Sequence, residues 1–163
     1  MTHSHVETAL REYAERFPAE AATVTRFLKL ATAWPDCLHR EHMPGHLTAS
    51  GWVVHRDSDS VLLTHHRKLD KWLQLGGHAD GDPDLPGVAV REIEEESGIG
   101  EVTAEEVRGV PFDIDIHEIP PHGGVPRHFH YDLRFANTTT YRSAPVISDE
   151  SHDVAWVPLT ELD

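Results

Sequence analysis

The run Arg91-Glu92-Ile93-Glu94-Glu95-Glu96-Ser97-Gly98-Ile99 decides the reading of this chain. On a helix, Glu92 lies three positions before Glu95 and four before Glu96, so three carboxylates share one patch of surface. Like charges at that spacing repel by roughly a few tenths of a kcal/mol per pair. A bound Mg2+ or Mn2+ reverses the sign, because hard cations take oxygen ligands and keep coordination positions for water and phosphate. Gly98 then supplies a helix end that a residue without a Cβ makes without strain. A solvated helix carrying an Arg91–Glu95 pair would gain only about 0.2–0.5 kcal/mol. It would explain neither the crowded acids nor Gly77 upstream.

Gly77, Arg91, Glu92, Ile93, Glu95, Glu96, Gly98 and Ile99 fall in register with the Nudix box, and the chain resembles the Nudix hydrolase family on those positions. The box begins with Gly, five residues and a Glu, and that Glu is Pro83 here. Asp80, Asp82 and Asp84 flank it, and a one-residue shift of the loop lets either Asp82 or Asp84 stand in. Asp84 is also a candidate N-cap, and Pro86 suits a first helical turn. The resemblance implies an α/β fold, a Nudix-type α/β/α sandwich with a mixed sheet. It implies a metal held by Glu92, Glu95 and Glu96, with Arg91 orienting the cluster. The implied reaction is metal-dependent hydrolysis of a pyrophosphate bond in a nucleoside diphosphate linked to another moiety. Water is the nucleophile, and a box glutamate or a carboxylate from another loop takes its proton.

Composition restricts the partners. A chain of 163 residues with 39% hydrophobic content suits one globular domain. Its formal charge of −14, from 28 acids against 14 Lys plus Arg, opposes binding to nucleic-acid polymers or anionic membranes. A small nucleotide substrate is still compatible, because a metal supplies positive charge where phosphate sits. Cys37 is the only cysteine, so no disulfide framework is expected. The first residues lack a basic and apolar leader, and no run approaches the roughly 20 apolar residues that span a bilayer. The expectation is a cytoplasmic protein.

Along the chain, residues 4–33 read as two amphipathic helices broken near Phe17-Pro18, with Leu10, Tyr13 and Phe17, then Ala21, Val24, Phe27, Leu28 and Ala31, at helical spacing. The division expected is a single domain over residues 1–163, with a helical extension at 1–36 and a Nudix core at 46–163. The helices pack on that core or on a second subunit, which leaves a homodimer open. Strands are expected at Leu47–His55 and Val61–His65, joined by a polar turn, then at Trp72–Leu75, Val102–Val107, Phe112–Glu118, His128–Phe135 and Asp153–Val157. A last helix is expected from Leu159.

Fourteen histidines is a heavy load. Alternation places His128, His130, Asp132 and Arg134 on one strand face, and Asp113, Asp115 and His117 on one face of the strand before it. Burying such a face without partners is costly. Short segments are similar to isopentenyl diphosphate isomerase, a distant Nudix relative. That resemblance implies a second metal near His46, His78, His128 and His130, and four imidazoles favour a borderline ion such as Zn2+. Isomerase activity is disfavoured, since the turn cysteine and a proton-handling Glu of that enzyme correspond to Gly76 and His130. The alternatives are therefore a catalytically inactive Nudix-fold nucleotide sensor, suggested by Pro83, and an isomerase-like enzyme. Arg127, Arg134, Lys68 and Lys71 are candidates for gripping phosphate, and Trp52 and Tyr131 for stacking on a base.

Overall fold

The computed structural model describes residues 4–67, 69–105, 109–149 and 151–162. Two helices come first, α1 (Ser4–Arg16) and α2 (Ala21–Ala33), separated by a single 3-10 turn at Pro18–Glu20. Pro18 opens that turn, where its missing N–H and fixed φ cost nothing. Four strands follow, β1 (Gly45–His55), β2 (Ser60–His66), β3 (Lys71–Leu73) and β4 (Leu75–His78). Next come α3 (Leu85–Ser97), β5 (Thr103–Ala104), β6 (Asp113–Ile119), β7 (His128–Thr139) and β8 (Ser151–Pro158).

The strands form one mixed sheet in the order β3-β2-β1-β7-β5, with β4 also on β1, β6 also on β7 and β8 also on β2. Among the described residues, only β1 and β7 run parallel, with His46 opposite His130 and Thr48 opposite Asp132. The long strand β1 is shared along its length. Residues 48–51 pair with β4, and Val53–His55 pair with β2. This is a mixed-sheet α/β fold preceded by a helical pair.

Parity along β1 and β7 sorts the side chains into an apolar and a polar face. Leu47, Ala49, Leu133 and Phe135 join a core with Leu10, Tyr13, Val24 and Phe27 from α1 and α2, and Leu85, Val88 and Ala89 from α3. Leu10 and Phe27 are fully buried, and each gains roughly 1.5–3 kcal/mol by leaving water. The apolar stripes of α1 and α2 thus close on the chain's own sheet. Farther along α3, Ile93 packs with Val53, Leu62 and Leu75 in a second cluster. The even positions His46, Thr48, Ser50, His128, His130, Asp132 and Arg134 occupy the other face, away from α3.

Three local expectations change. The segment around Trp72 is two strands, because Lys71–Leu73 pairs with β2 while Leu75–His78 crosses to β1, so Gly76 and Gly77 lie inside a strand. The extended segment expected over 102–107 is a strand only at Thr103–Ala104, and its end at Val107 lies outside the described residues. From Leu159 the chain makes one 3-10 turn, Leu159–Glu161. Among the described residues, no helix is long and apolar enough to cross a membrane.

Candidate active site and histidine cluster

Local sequence explains how α3 is set. The Asp84 side chain accepts from the Gly87 N–H at 3.3 Å, satisfying one free donor of the first turn, and Pro86 sits in that turn. At the other end Gly98 takes φ 64° in the left-handed region, and its N–H reaches Glu94 O at 2.9 Å. Between these ends, Ile93 faces the core while Glu92, Glu95 and Glu96 lie on the helix flank.

Glu92 is pressed against Gly77 of β4. A Cβ on Gly77 would lie 2.2 Å from Glu92 Oε2 and 2.7 Å from its Cδ, so only glycine allows this approach. Burial pushes the Glu92 carboxyl above its ordinary range, and Glu95 and Asp80 push the same way while Arg91 opposes them. Glu95 is exposed and Glu96 half-buried. The three carboxylates share one flank of α3 with graded exposure, but among the described residues the side-chain donors that converge to within 4.8 Å are those of His46, His78 and His130, not these three.

Arg91 reaches Asp82 at 3.4 Å and Glu92 at 3.6 Å. It therefore links the acidic helix to the loop before it. The two candidates for the missing box carboxylate part company here. Asp84 caps α3, whereas Asp82 turns its Oδ2 to Arg91 and accepts the Asp84 N–H on Oδ1 at 2.9 Å. Nearby, Arg40 Nε donates to Asp80 Oδ1 at 2.8 Å, and a second guanidinium N–H meets Oδ2. Nothing in the sequence signalled Arg40, because its partner lies on the far side of strands β1 to β4 in the chain.

The opposite face of the sheet gathers the histidines. His46 and His130 have ring centroids 4.9 Å apart, His46 and His78 5.2 Å, and His78 and His130 5.1 Å. One ring nitrogen from each of the three lies within 4.8 Å of the others. His128 lies beside this trio, its ring 5.2 Å from His46 and its Nδ1 2.9 Å from Pro126 O. Burial above all holds the three imidazoles neutral: the pKa of His46 is lowered, that of His78 falls to about 4 and that of His130 to about 2. Neighbouring Arg40 and His46 add to the effect at His78, and His78 and His46 at His130.

Farther along this face the buried Asp132 accepts from Thr48 at 2.9 Å and Ser50 at 2.7 Å. Arg134 contacts Asp113 at 2.7 Å, Asp115 at 2.9 Å and Asp132 at 3.3 Å. Thr48 and Ser50 lie on the same face of β1 as His46, and neither had a role assigned from the sequence. Of the other predicted phosphate contacts, Arg127 is exposed and 3.6 Å from Glu118, Lys71 is exposed on β3, and Lys68 lies outside the described residues. Tyr131 faces the apolar side, edge-on to Phe27 at 5.2 Å. A cleft of about 490 Å3 between α1 and the start of α3, lined by Val6, Ala9, Pro83 and Leu133, contains neither the carboxylates nor the histidine trio.

The NUDIX domain model matches residues 45–163, and the chain belongs to the Nudix family. A NUDIX-family hydrolase from Clostridium perfringens is 27% identical, with a TM-score of 0.53, over 69% of this chain and 81% of that one. The Ap4A hydrolase of C. elegans is similar at 18% identity and TM-score 0.54, over 71% and 81% of the two chains. A MutT NUDIX hydrolase from Burkholderia pseudomallei is similar at 19% identity and TM-score 0.52, over 72% and 85%. At their identities the last two report the fold. A search of curated proteins gave no match. By family, the protein is an enzyme of the pyrophosphohydrolase class.

Proposed function

We propose that the enzyme hydrolyses a pyrophosphate bond in a nucleoside diphosphate linked to another moiety, with Glu92, Glu95 and Glu96 holding Mg2+, or Mn2+ in its place. The observation that carries this reading is the seating of Glu92 on Gly77 beside two further carboxylates of the same helical patch. When bound, the cation supplies positive charge to the phosphate oxygens and acidifies water. Arg91 orients Glu92 and fastens α3 to the loop through Asp82. Glu95, exposed on the helix, is the leading group to take the proton from water. Arg127 and Lys71 are exposed cations able to reach phosphate, and Arg134 contributes through the carboxylates it holds.

The substrate is a small nucleotide rather than a polymer, in keeping with the charge of −14, and the compartment is the cytoplasm. Residues 1–36 act as an extension whose helices share a core with residues 46–163, and a homodimer would use surfaces other than their buried stripes. A sensor without turnover was suggested by Pro83; the hydrolase reading is supported by Asp82, whose carboxylate lies 3.4 Å from Arg91. An isomerase-like reading lacks its proton-handling pair, as Gly76 and His130 stand at those positions.

Product analysis over a panel of nucleoside diphosphate derivatives with Mg2+ tests the proposal. Release of a mononucleotide or phosphorylated product supports it. Tight binding without product across the panel would establish the sensor instead.

A further inference from the structure

We propose that His46, His78 and His130 form a three-imidazole site for a borderline transition-metal ion, Zn2+ foremost, distinct from the carboxylates of α3. Three strands build it. His46 is the second residue of β1, His130 is its register partner on β7, and His78 ends β4 opposite Thr48. Gly77 and His78 are consecutive and so point to opposite faces, Gly77 toward Glu92 and His78 toward the other imidazoles. One short strand therefore serves both centres.

Unpartnered buried nitrogens point to a ligand. His46 is 1% exposed, and its Nδ1 lies 3.3 Å from His42 O. A carbonyl only accepts, so Nδ1 carries the proton and Nε2 presents its lone pair. That Nε2 is buried without a hydrogen-bond partner, and so is Nε2 of His130. Leaving such groups bare is costly, and a cation between them takes up lone pairs that face no donor. The His46–His42 contact is the kind of outer hydrogen bond that fixes the tautomer of a ligating histidine.

The chemistry of the donors selects the ion. Neutral imidazoles favour Zn2+ and its neighbours, whereas the all-oxygen set on α3 favours Mg2+. Three protein ligands leave one position of a tetrahedron open, the arrangement of zinc sites that also bind water or substrate. With Zn–N distances of about 2.0–2.1 Å, ligand atoms sit roughly 3.3 Å apart. The present separations, within 4.8 Å, require the rings to close by at most about 1.5 Å.

The test uses the full chain stripped with a chelator and titrated with Co2+ alone, followed by visible absorption, then with Zn2+ in competition. One equivalent of Co2+ should give the intense bands of a four-coordinate centre, and Zn2+ should abolish them. H130Q and H78Q should weaken binding by more than the roughly 10- to 100-fold that loss of an outer hydrogen-bond partner costs, while E95Q leaves it unchanged. H46Q places its change at a fully buried site, so the two less buried variants decide if it fails to fold. The proposal is overturned if no stoichiometric Co2+ site forms, if H130Q and H78Q keep the bands, or if E95Q removes them. No nucleotide enters the measurement, so the result is independent of hydrolysis.

Discussion

Glu92 Oε2 lies where a side chain on Gly77 would begin, 2.2 Å from the position of a Cβ. The strand that approaches α3 is thereby fitted to the carboxylate that the proposed chemistry uses. Because the clash falls on the end of a flexible side chain, Gly77→Ala displaces Glu92 before it disturbs the fold. Turnover should drop by about 10-fold or more, a barrier change of roughly 1.4 kcal/mol. The melting temperature should move by only about 2–4 °C. Steady-state kinetics beside calorimetry check both halves, and unchanged turnover would show that the position of Glu92 is immaterial.

Glu95 is exposed on the helix, so its amide analogue removes charge without opening the core. Glu95→Gln should lower turnover by about 100-fold or more, in the range ascribed to general acid–base groups. Circular dichroism should be unchanged. Activity equal to that of the parent chain would remove Glu95 from the mechanism.

Asp82→Asn separates the charge of the loop acid from its turn. The amide oxygen can still accept the Asp84 N–H, but the ion pair with Arg91 is lost. Stability should change by less than about 1 kcal/mol, as for other exposed pairs. If Asp82 positions Arg91, kcat falls several-fold with KM nearly constant, and the effect disappears when Arg91→Met is already present. Additive losses in the double variant would mean that the two residues act separately.

The histidine cluster makes the metal-free protein sensitive to acid. His78 has its folded pKa lowered to about 4 from 6.5, so the unfolded chain binds the extra proton first as pH falls. Stability is full above pH 6.5 and declines toward pH 4. His46, His128 and Arg40 face His78 and oppose its protonation, while Asp80 favours it. Melting temperature should fall by roughly 5 °C between pH 7.5 and 5, and His78→Gln should flatten that slope. A slope identical in the variant would place the acid sensitivity elsewhere.

Some of this was legible in the linear chain. The break at Pro18, the apolar stripes of α1 and α2, the cap at Asp84 and the left-handed end at Gly98 all appear where the residues indicate. Each depends on neighbours within about one helical turn. The segment at 71–78 was harder to read, because its division between β2 and β1 depends on partners distant in sequence. Tyr131 had the composition of a base-stacking residue, and strand parity turned it into the core beside Phe27.

That Glu92, Glu95 and Glu96 share one flank of α3 is a property of sequence alone, since helical geometry makes positions three and four apart neighbours whatever surrounds them. Tertiary structure decided which histidines meet. The parallel pairing of β1 with β7 sets His46 opposite His130, and the antiparallel pairing with β4 brings in His78. Strand register is fixed by nonlocal packing of the apolar face, and a slip of one residue would send every one of these rings to the other side.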